Sequence, residues 1–207
     1  MKGPTRLILI RHGETPWTRE RRYQGHSDTP LSSYGKKQVL QLARTVRRLG
    51  IHVLYTSSLQ RARQTAAILS KITRVSPRVD ARLGELFFGR WEGQSAAELL
   101  AARDPVFRAW CRGQIVTPPG GESLRSLRAR TSRFLRDCLR RHCGKTVAIV
   151  SHGGPIKTIL FEALKLPARS LWSFRIDPGS MTVLNFYPHF TQLVSLNQTC
   201  AAYPSTS

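Results

Sequence analysis

Apolar residues in this chain fall into two kinds of runs. The first kind is short and unbroken: Leu7-Ile8-Leu9-Ile10, the pair Leu54-Tyr55, and Val147-Ala148-Ile149-Val150. A run without polar alternation reads as a strand buried on both faces. The second kind is spaced at helical intervals. Leu124, Leu127, Thr131, Phe134, Leu135 and Cys138 mark one face of an amphipathic helix. The pattern predicts strands over 6–10, 51–56, 75–79 and 146–150, and late strands near 181–187 and 192–196. It predicts helices over 33–49, 59–72, 123–141 and 155–165, with a helical region over 95–112. Gly50 and Gly144 stand just after two of these helices, as C-terminal caps often do. The β-α-β-α order gives a three-layer α/β/α fold, a largely parallel sheet with helices on both faces. No repeat, low-complexity tract or linker interrupts the 207 residues, so one domain over 1–207 is expected.

The residues that follow the buried runs change the picture. Arg11-His12-Gly13-Glu14-Thr15 comes directly after the first run, and Ser151-His152-Gly153-Gly154 after the last. A third run leads through Thr56-Ser57-Ser58 into a helix start that carries Arg61 and Arg63. Ligands of open α/β sheets bind at the C-terminal ends of the strands. If these strands are parallel neighbours, their ends bring two His and two or three Arg to one point. Core packing has no use for so many cationic groups, whereas a dianionic phosphoryl group does. Arg presents a fork of donors that fits phosphate oxygens. A neutral imidazole can act as a nucleophile.

Composition narrows the setting. Lys plus Arg is 33 and Asp plus Glu is 12, a formal net charge of +21. The Arg residues are spread along the chain, seven of them between Ser123 and Cys143, where most are expected on the solvated side of the helix. A nucleic-acid surface is the less favoured use of this charge, and attraction of anionic substrates the more favoured. Cys111, Cys138, Cys143 and Cys200 lack C-x-x-C spacing and read as reduced thiols of a cytoplasmic protein. Four apolar residues before Arg11 are too few for a signal peptide. No segment is long enough to span a membrane. No carboxylate cluster is in view that could hold a metal, and no cofactor is expected.

The motifs together resemble the histidine phosphatase superfamily, also called phosphoglycerate-mutase-like, in its first branch. The resemblance runs through Arg11-His12-Gly13-Glu14-Thr15, Tyr23-Gln24-Gly25, Ser57-Ser58 with Arg61-Ala62, and Glu85 with Phe88-Gly89. It continues through Trp91-Glu92-Gly93, Pro119-Gly120-Gly121-Glu122-Ser123, Ser151-His152-Gly153-Gly154 and the segment 195–199. It agrees with the reading of the residues on a set of roles. Arg11 and Arg61 bind the phosphoryl oxygens, His12 attacks phosphorus to form a phosphohistidine, and His152 adds a donor, cationic when it does so. Glu85 protonates the leaving group. The expected substrate-binding set is Arg11, Thr18, Gln24, Gly25, Arg61, Glu85, His152 and Gly153. Glu14 is expected to orient Arg11 or His12. His26, His52, His142 and His189 are expected to be structural or exposed. The tryptophans are expected to pack, with Trp91 the one to watch. In this architecture the stretch 84–121 is an insertion that caps the site. Thr18 stands where the family often has Asn, and a hydroxyl can still donate one hydrogen bond.

Mutases of the family carry Arg-His-Tyr-Gly after the acidic residue and have longer chains. Here Glu85-Leu86-Phe87-Phe88 follows the phosphatase pattern. Ala109-Trp110-Cys111 and the segment Ser170–Gly179 are similar to α-ribazole-5′-phosphate phosphatases. The expectation is a phosphatase of a small phosphorylated metabolite, with α-ribazole-5′-phosphate among its substrates. The alternatives are a cofactor-dependent phosphoglycerate mutase and a basic RNA- or partner-binding module with a vestigial site. A homodimer is compatible with all three.

Overall fold

The computed structural model describes residues 3–199. The chain runs β1 (Thr5–Arg11), α1 (Pro16–Arg19), α2 (Ser33–Arg48), β2 (Val53–Thr56), α3 (Gln60–Thr73) and β3 (Pro77–Val79). Then come α4 (Ala96–Ala101), α5 (Pro105–Cys111), α6 (Leu124–Arg141), β4 (Thr146–Ser151), α7 (Gly153–Leu164), β5 (Met181–Phe186) and β6 (Thr191–Gln198). The six strands form one mixed sheet in the order β3-β2-β4-β1-β5-β6. The pairs β3–β2, β2–β4 and β4–β1 are parallel, while β1–β5 and β5–β6 are antiparallel.

The unbroken apolar runs have the predicted cause. In β1, Leu7 and Leu9 face α6 and α7, packing with Phe134, Leu135, Ile156 and Ile159. Ile8 and Ile10 point the other way and pack with Leu42, Val46, Ala62 and Ala66 of α2 and α3. Every one of these side chains is essentially inaccessible. At ~25 cal/mol per Å² of apolar surface, this double burial is the main favourable contribution to the sheet. Gly50 and Gly144 take left-handed backbone after α2 and α6, with φ of 61° and 73°.

Two elements differ from the sequence expectation. The helical region 95–112 is two short helices, because Asp104 caps a new start at Pro105 and Arg103 takes φ 55°. The helix expected from 155 starts at Gly153, directly after the capping residue His152. Gly153 and Gly154 therefore sit in the first turn of α7. The stretch 84–121 contains α4, α5 and a short 3₁₀ turn over Gly89–Trp91, and builds a small core of its own from Trp91, Leu99 and Phe107. Cys200 lies outside the described residues. No helix among the described residues is long and apolar enough to cross a membrane.

Candidate active site

Strand register builds the site. Arg11 of β1 is level with Ser151 of β4 in the parallel pair. His12 and His152 each follow by one residue, and their rings lie 5.0 Å apart, centroid to centroid. β2 lies on the far side of β4, so the turn after it delivers Ser57 and the first turn of α3 to the same end. Arg61 arrives there fully buried.

The hydrogen bonds around His12 define its protonation. Nδ1 lies 2.8 Å from the Gly13 carbonyl oxygen, which can only accept, so Nδ1 carries a proton. Arg61 Nε, which can only donate, lies 3.3 Å from Nε2. Nε2 is therefore the bare nitrogen of a neutral ring. Burial, then the positive charges of Arg61 and Arg11, hold the His12 imidazole well below its usual value. Gly13 is required by packing rather than by a turn. A Cβ there would come within 2.7 Å of the Gly35 carbonyl oxygen and of Val39 in α2.

Arg61 is fixed by a loop. Its two terminal nitrogens donate to the carbonyls of Gly25, at 2.7 Å, and Ser27, at 3.1 Å. That loop is pinned by Glu92, whose carboxylate accepts from the backbone of His26 and Ser27, from the Ser27 hydroxyl and from the backbone of Phe88. Of the five guanidinium N–H groups, three are thus committed, leaving one on each terminal nitrogen. Burial brings the Arg61 pKa down to about 10. His152 Nε2 lies 2.8 Å from the Ser57 hydroxyl. Burial first, then Arg61, His12 and Arg11, depress its pKa well below the usual value. The surrounding protein alone therefore favours the neutral form of His152.

Glu85 lines the cavity beside Gly153 and Gly154. Its Oε1 accepts from the backbone N–H groups of Leu86, at 2.8 Å, and Gly154, at 3.1 Å. The segment that carries it is held by Arg130 of α6, which spends all five N–H groups. They go to the carbonyls of Arg82, Gly84 and Glu85 and to both carboxylate oxygens of Glu122. Arg130 is thus an exception among the α6 arginines, most of which are expected to face solvent. The Glu122 of Pro119-Gly120-Gly121-Glu122 is its partner.

The cavity is about 630 Å³. Its lining includes Arg11, His12, Thr18, Gln24, Glu85 and Gly153 of the expected residues, and does not include Gly25, Arg61 or His152. Thr18 is at the wall, but its hydroxyl donates to the Thr15 carbonyl at 3.0 Å and accepts from the Thr15 N–H at 2.8 Å. It closes a capping box on α1, so its one donor is already committed, contrary to the expected phosphate contact. The Gln24 amide is likewise engaged, with Thr15 and Thr29. Gly25 acts through its carbonyl on Arg61. Glu14 accepts from the Ser32 hydroxyl at the start of α2 and touches neither Arg11 nor His12.

Sequence reasoning missed part of the wall. Trp91 is core, bonded through its indole to Asp104. Trp110 and Trp172 line the cavity, 5.3 Å apart at their centroids. Lys157 of α7, Leu171 and the stretch Arg175–Pro178 also line it. Lys157 stands four residues after Gly153, one helical turn on. That spacing was the one available signal. His26 is also tied to the site, with Nε2 3.1 Å from the Glu85 carbonyl oxygen. Among the described residues, no group of three His, Cys, Asp or Glu is placed to hold a metal ion.

With the geometry established, similarity to known proteins carries weight. Residues 7–199 match the Histidine phosphatase superfamily (branch 1), and the chain belongs to that family. It is 39% identical over 199 residues to Bifunctional protein Rv2228c of Mycobacterium tuberculosis, covering 95% of this chain but 54% of that one. The chain thus spans about half the length of these mycobacterial relatives. Phosphoserine phosphatase 1 of Hydrogenobacter thermophilus is 34% identical, covering 94% of this chain and 93% of that one. The solved alpha-ribazole phosphatase from Shigella flexneri superposes with a TM-score of 0.84 at 31% identity, covering 94% of this chain and 96% of that chain.

Proposed function

We propose that the chain is a phosphomonoester phosphatase that works through a phosphohistidine on His12. One observation carries this reading. A neutral imidazole, its Nδ1 proton held by Gly13, keeps Nε2 bare at the end of the parallel strands β1 and β4, beside Arg11, Arg61 and His152. Arg11 and the two remaining N–H groups of Arg61 bind the phosphoryl oxygens. The cationic charge offsets the dianion, and Nε2 attacks phosphorus in line as the ester oxygen departs. Glu85, when it carries a proton, donates it to that oxygen. Water then cleaves the phosphorus–nitrogen bond, with the Glu85 carboxylate accepting the proton of the attacking water, and releases inorganic phosphate.

The substrate class is a small phosphorylated metabolite. The likenesses to a phosphoserine phosphatase and to an alpha-ribazole phosphatase are of similar strength, and both compounds belong in a turnover panel. The test of the chemistry is rapid quench with ³²P-labelled substrate. The expected adduct is stable in base and labile in acid, maps to His12, and is absent in His12→Ala. An adduct on another residue, or turnover that persists in that variant, overturns the assignment.

A further inference from the structure

Lys157 has no part in the chemistry just described. It lies on α7, one helical turn after Gly153, and its side chain lines the cavity. It is half-buried, yet among the described residues its ammonium has no hydrogen bond and no ion pair. A buried cation without a partner is costly, and lysine loses rotamer freedom as well when it is confined. Burial, reinforced by the positive charge of Arg11, lowers the Lys157 pKa, and the negative charge of Glu85 opposes that shift. The ammonium is therefore electrostatically coupled to two cavity residues, one proposed to hold the phosphoryl group and one proposed to serve the ester oxygen. Of the other cationic side chains on the wall, Arg21 is exposed to solvent, and Arg22 and Arg175 are committed. Arg22 is bound to Glu20, Glu98 and the Gly93 carbonyl, and Arg175 is paired with Asp177.

From this placement we infer that Lys157 is a specificity-determining residue that pairs with a second anionic group, a carboxylate, on the leaving-group side of the substrate. The inference rests on the proposed phosphatase reading and narrows it. Preferred substrates are phosphomonoesters of hydroxy acids, in which a carboxylate stands one or two carbons from the ester oxygen. Glu85, the proposed proton donor to the ester oxygen, lines the cavity and accepts from the Gly154 N–H, and Lys157 lines the same cavity from the first turns of α7. A carboxylate there supplies the ammonium with the partner that the protein does not. A neutral leaving group, such as a nucleoside, leaves the ammonium unpaired and is the poorer substrate.

The test compares matched substrates in the full chain. Wild type, Lys157→Gln and Lys157→Arg are assayed with 3-phosphoglycerate and with glycerol 1-phosphate, which lacks only the carboxylate charge. Wild type is expected to favour 3-phosphoglycerate by kcat/KM. Lys157→Gln should lose at least tenfold on 3-phosphoglycerate, chiefly through KM, and stay within threefold on glycerol 1-phosphate. Lys157→Arg should restore part of the preference. Equal losses on both substrates would place Lys157 on the phosphoryl group and overturn the inference. No loss on either, or a wild type that prefers the neutral substrate, overturns it too. Failure of the phosphatase reading is distinguishable, because then wild type turns over neither compound.

Discussion

Replacing Arg61 by lysine keeps the charge and removes the fork. The guanidinium is completely buried and holds three partners: Gly25, Ser27 and His12. Two N–H groups then remain for phosphoryl oxygens. A lysine ammonium has three donors on one atom and cannot serve two carbonyls, the imidazole and an oxygen pair. Losing one charge-assisted contact in the transition state costs about 1.5–3 kcal/mol. Losing the bidentate pair and the aim of His12 together should lower kcat/KM on the order of 10²- to 10³-fold. The two carbonyls left behind add a stability cost of about 1–3 kcal/mol each at most. For a chain of 207 residues, each kcal/mol corresponds to roughly 2–4 °C in Tm. Steady-state kinetics well below the melting transition, beside a thermal melt, separate the two effects. Arg63→Lys, an exposed change two residues along the same helix, is the control and should stay within twofold. The reasoning is refuted if Arg61→Lys retains its rate, or if Arg63→Lys loses as much.

Glu85→Gln should sharply slow hydrolysis of alkyl phosphates and much less that of p-nitrophenyl phosphate, whose phenolate departs without a proton. Equal losses on both would remove Glu85 as the acid. Arg130→Met should show the same leaving-group pattern, with a lower Tm, because Arg130 holds the Glu85 segment at three carbonyls. In the double variant the loss on alkyl phosphates should not exceed that of Glu85→Gln alone, and additive losses would mean that Arg130 acts independently. Excess chelator should leave turnover unchanged, since the donor set is His and Arg. Activity that falls and returns with added metal contradicts this.

The centre of the site was legible in the chain for a physical reason. Strands buried on both faces tolerate polar residues only at their ends, so Arg11-His12-Gly13 and Ser151-His152-Gly153 announce the C-terminal edge of the sheet. The β-α-β order then makes them neighbours. What could not be read is which polar groups are already spent. Thr18 looked like a phosphate donor, but a Thr three residues after Thr15 can close a capping box, and it does. Arg130 sits in an arginine-rich helix whose periodicity assigns most of its arginines to solvent. It turns inward because Glu122 and three carbonyls from 82–85 converge on it, and helical spacing carries no trace of that convergence. Glu92 was a spare carboxylate in the sequence and is the pin of the Arg61 loop in the fold. The contacts of Glu92 with His26 and Ser27, and of Arg130 with 82–85, join residues dozens of positions apart, where local pattern is silent.

The protonation of the two histidines ties these observations to pH. His12 and His152 both have folded-state pKa values well below the ordinary 6.5, chiefly from burial. The unfolded chain therefore binds more protons below pH 6.5, and stability is present in full above that value and lost as pH falls beneath it. Each histidine contributes a slope approaching about 1.4 kcal/mol per pH unit. A dianion at the strand ends reverses the electrostatics. It favours the charged imidazole, and His152, expected to donate to the phosphoryl group, should take up the proton while His12 stays neutral. Sulfate is a suitable probe because it remains a dianion across this range. Calorimetric titration with sulfate near pH 6.5, in buffers of different ionisation enthalpy, should show net proton uptake approaching one. Affinity should rise as pH falls from 7.5 to 6. Uptake should vanish in His152→Asn and persist in His12→Asn. Heats independent of buffer refute the scheme. Uptake that instead vanishes in His12→Asn would put the proton on Nε2, where it would block attack on phosphorus.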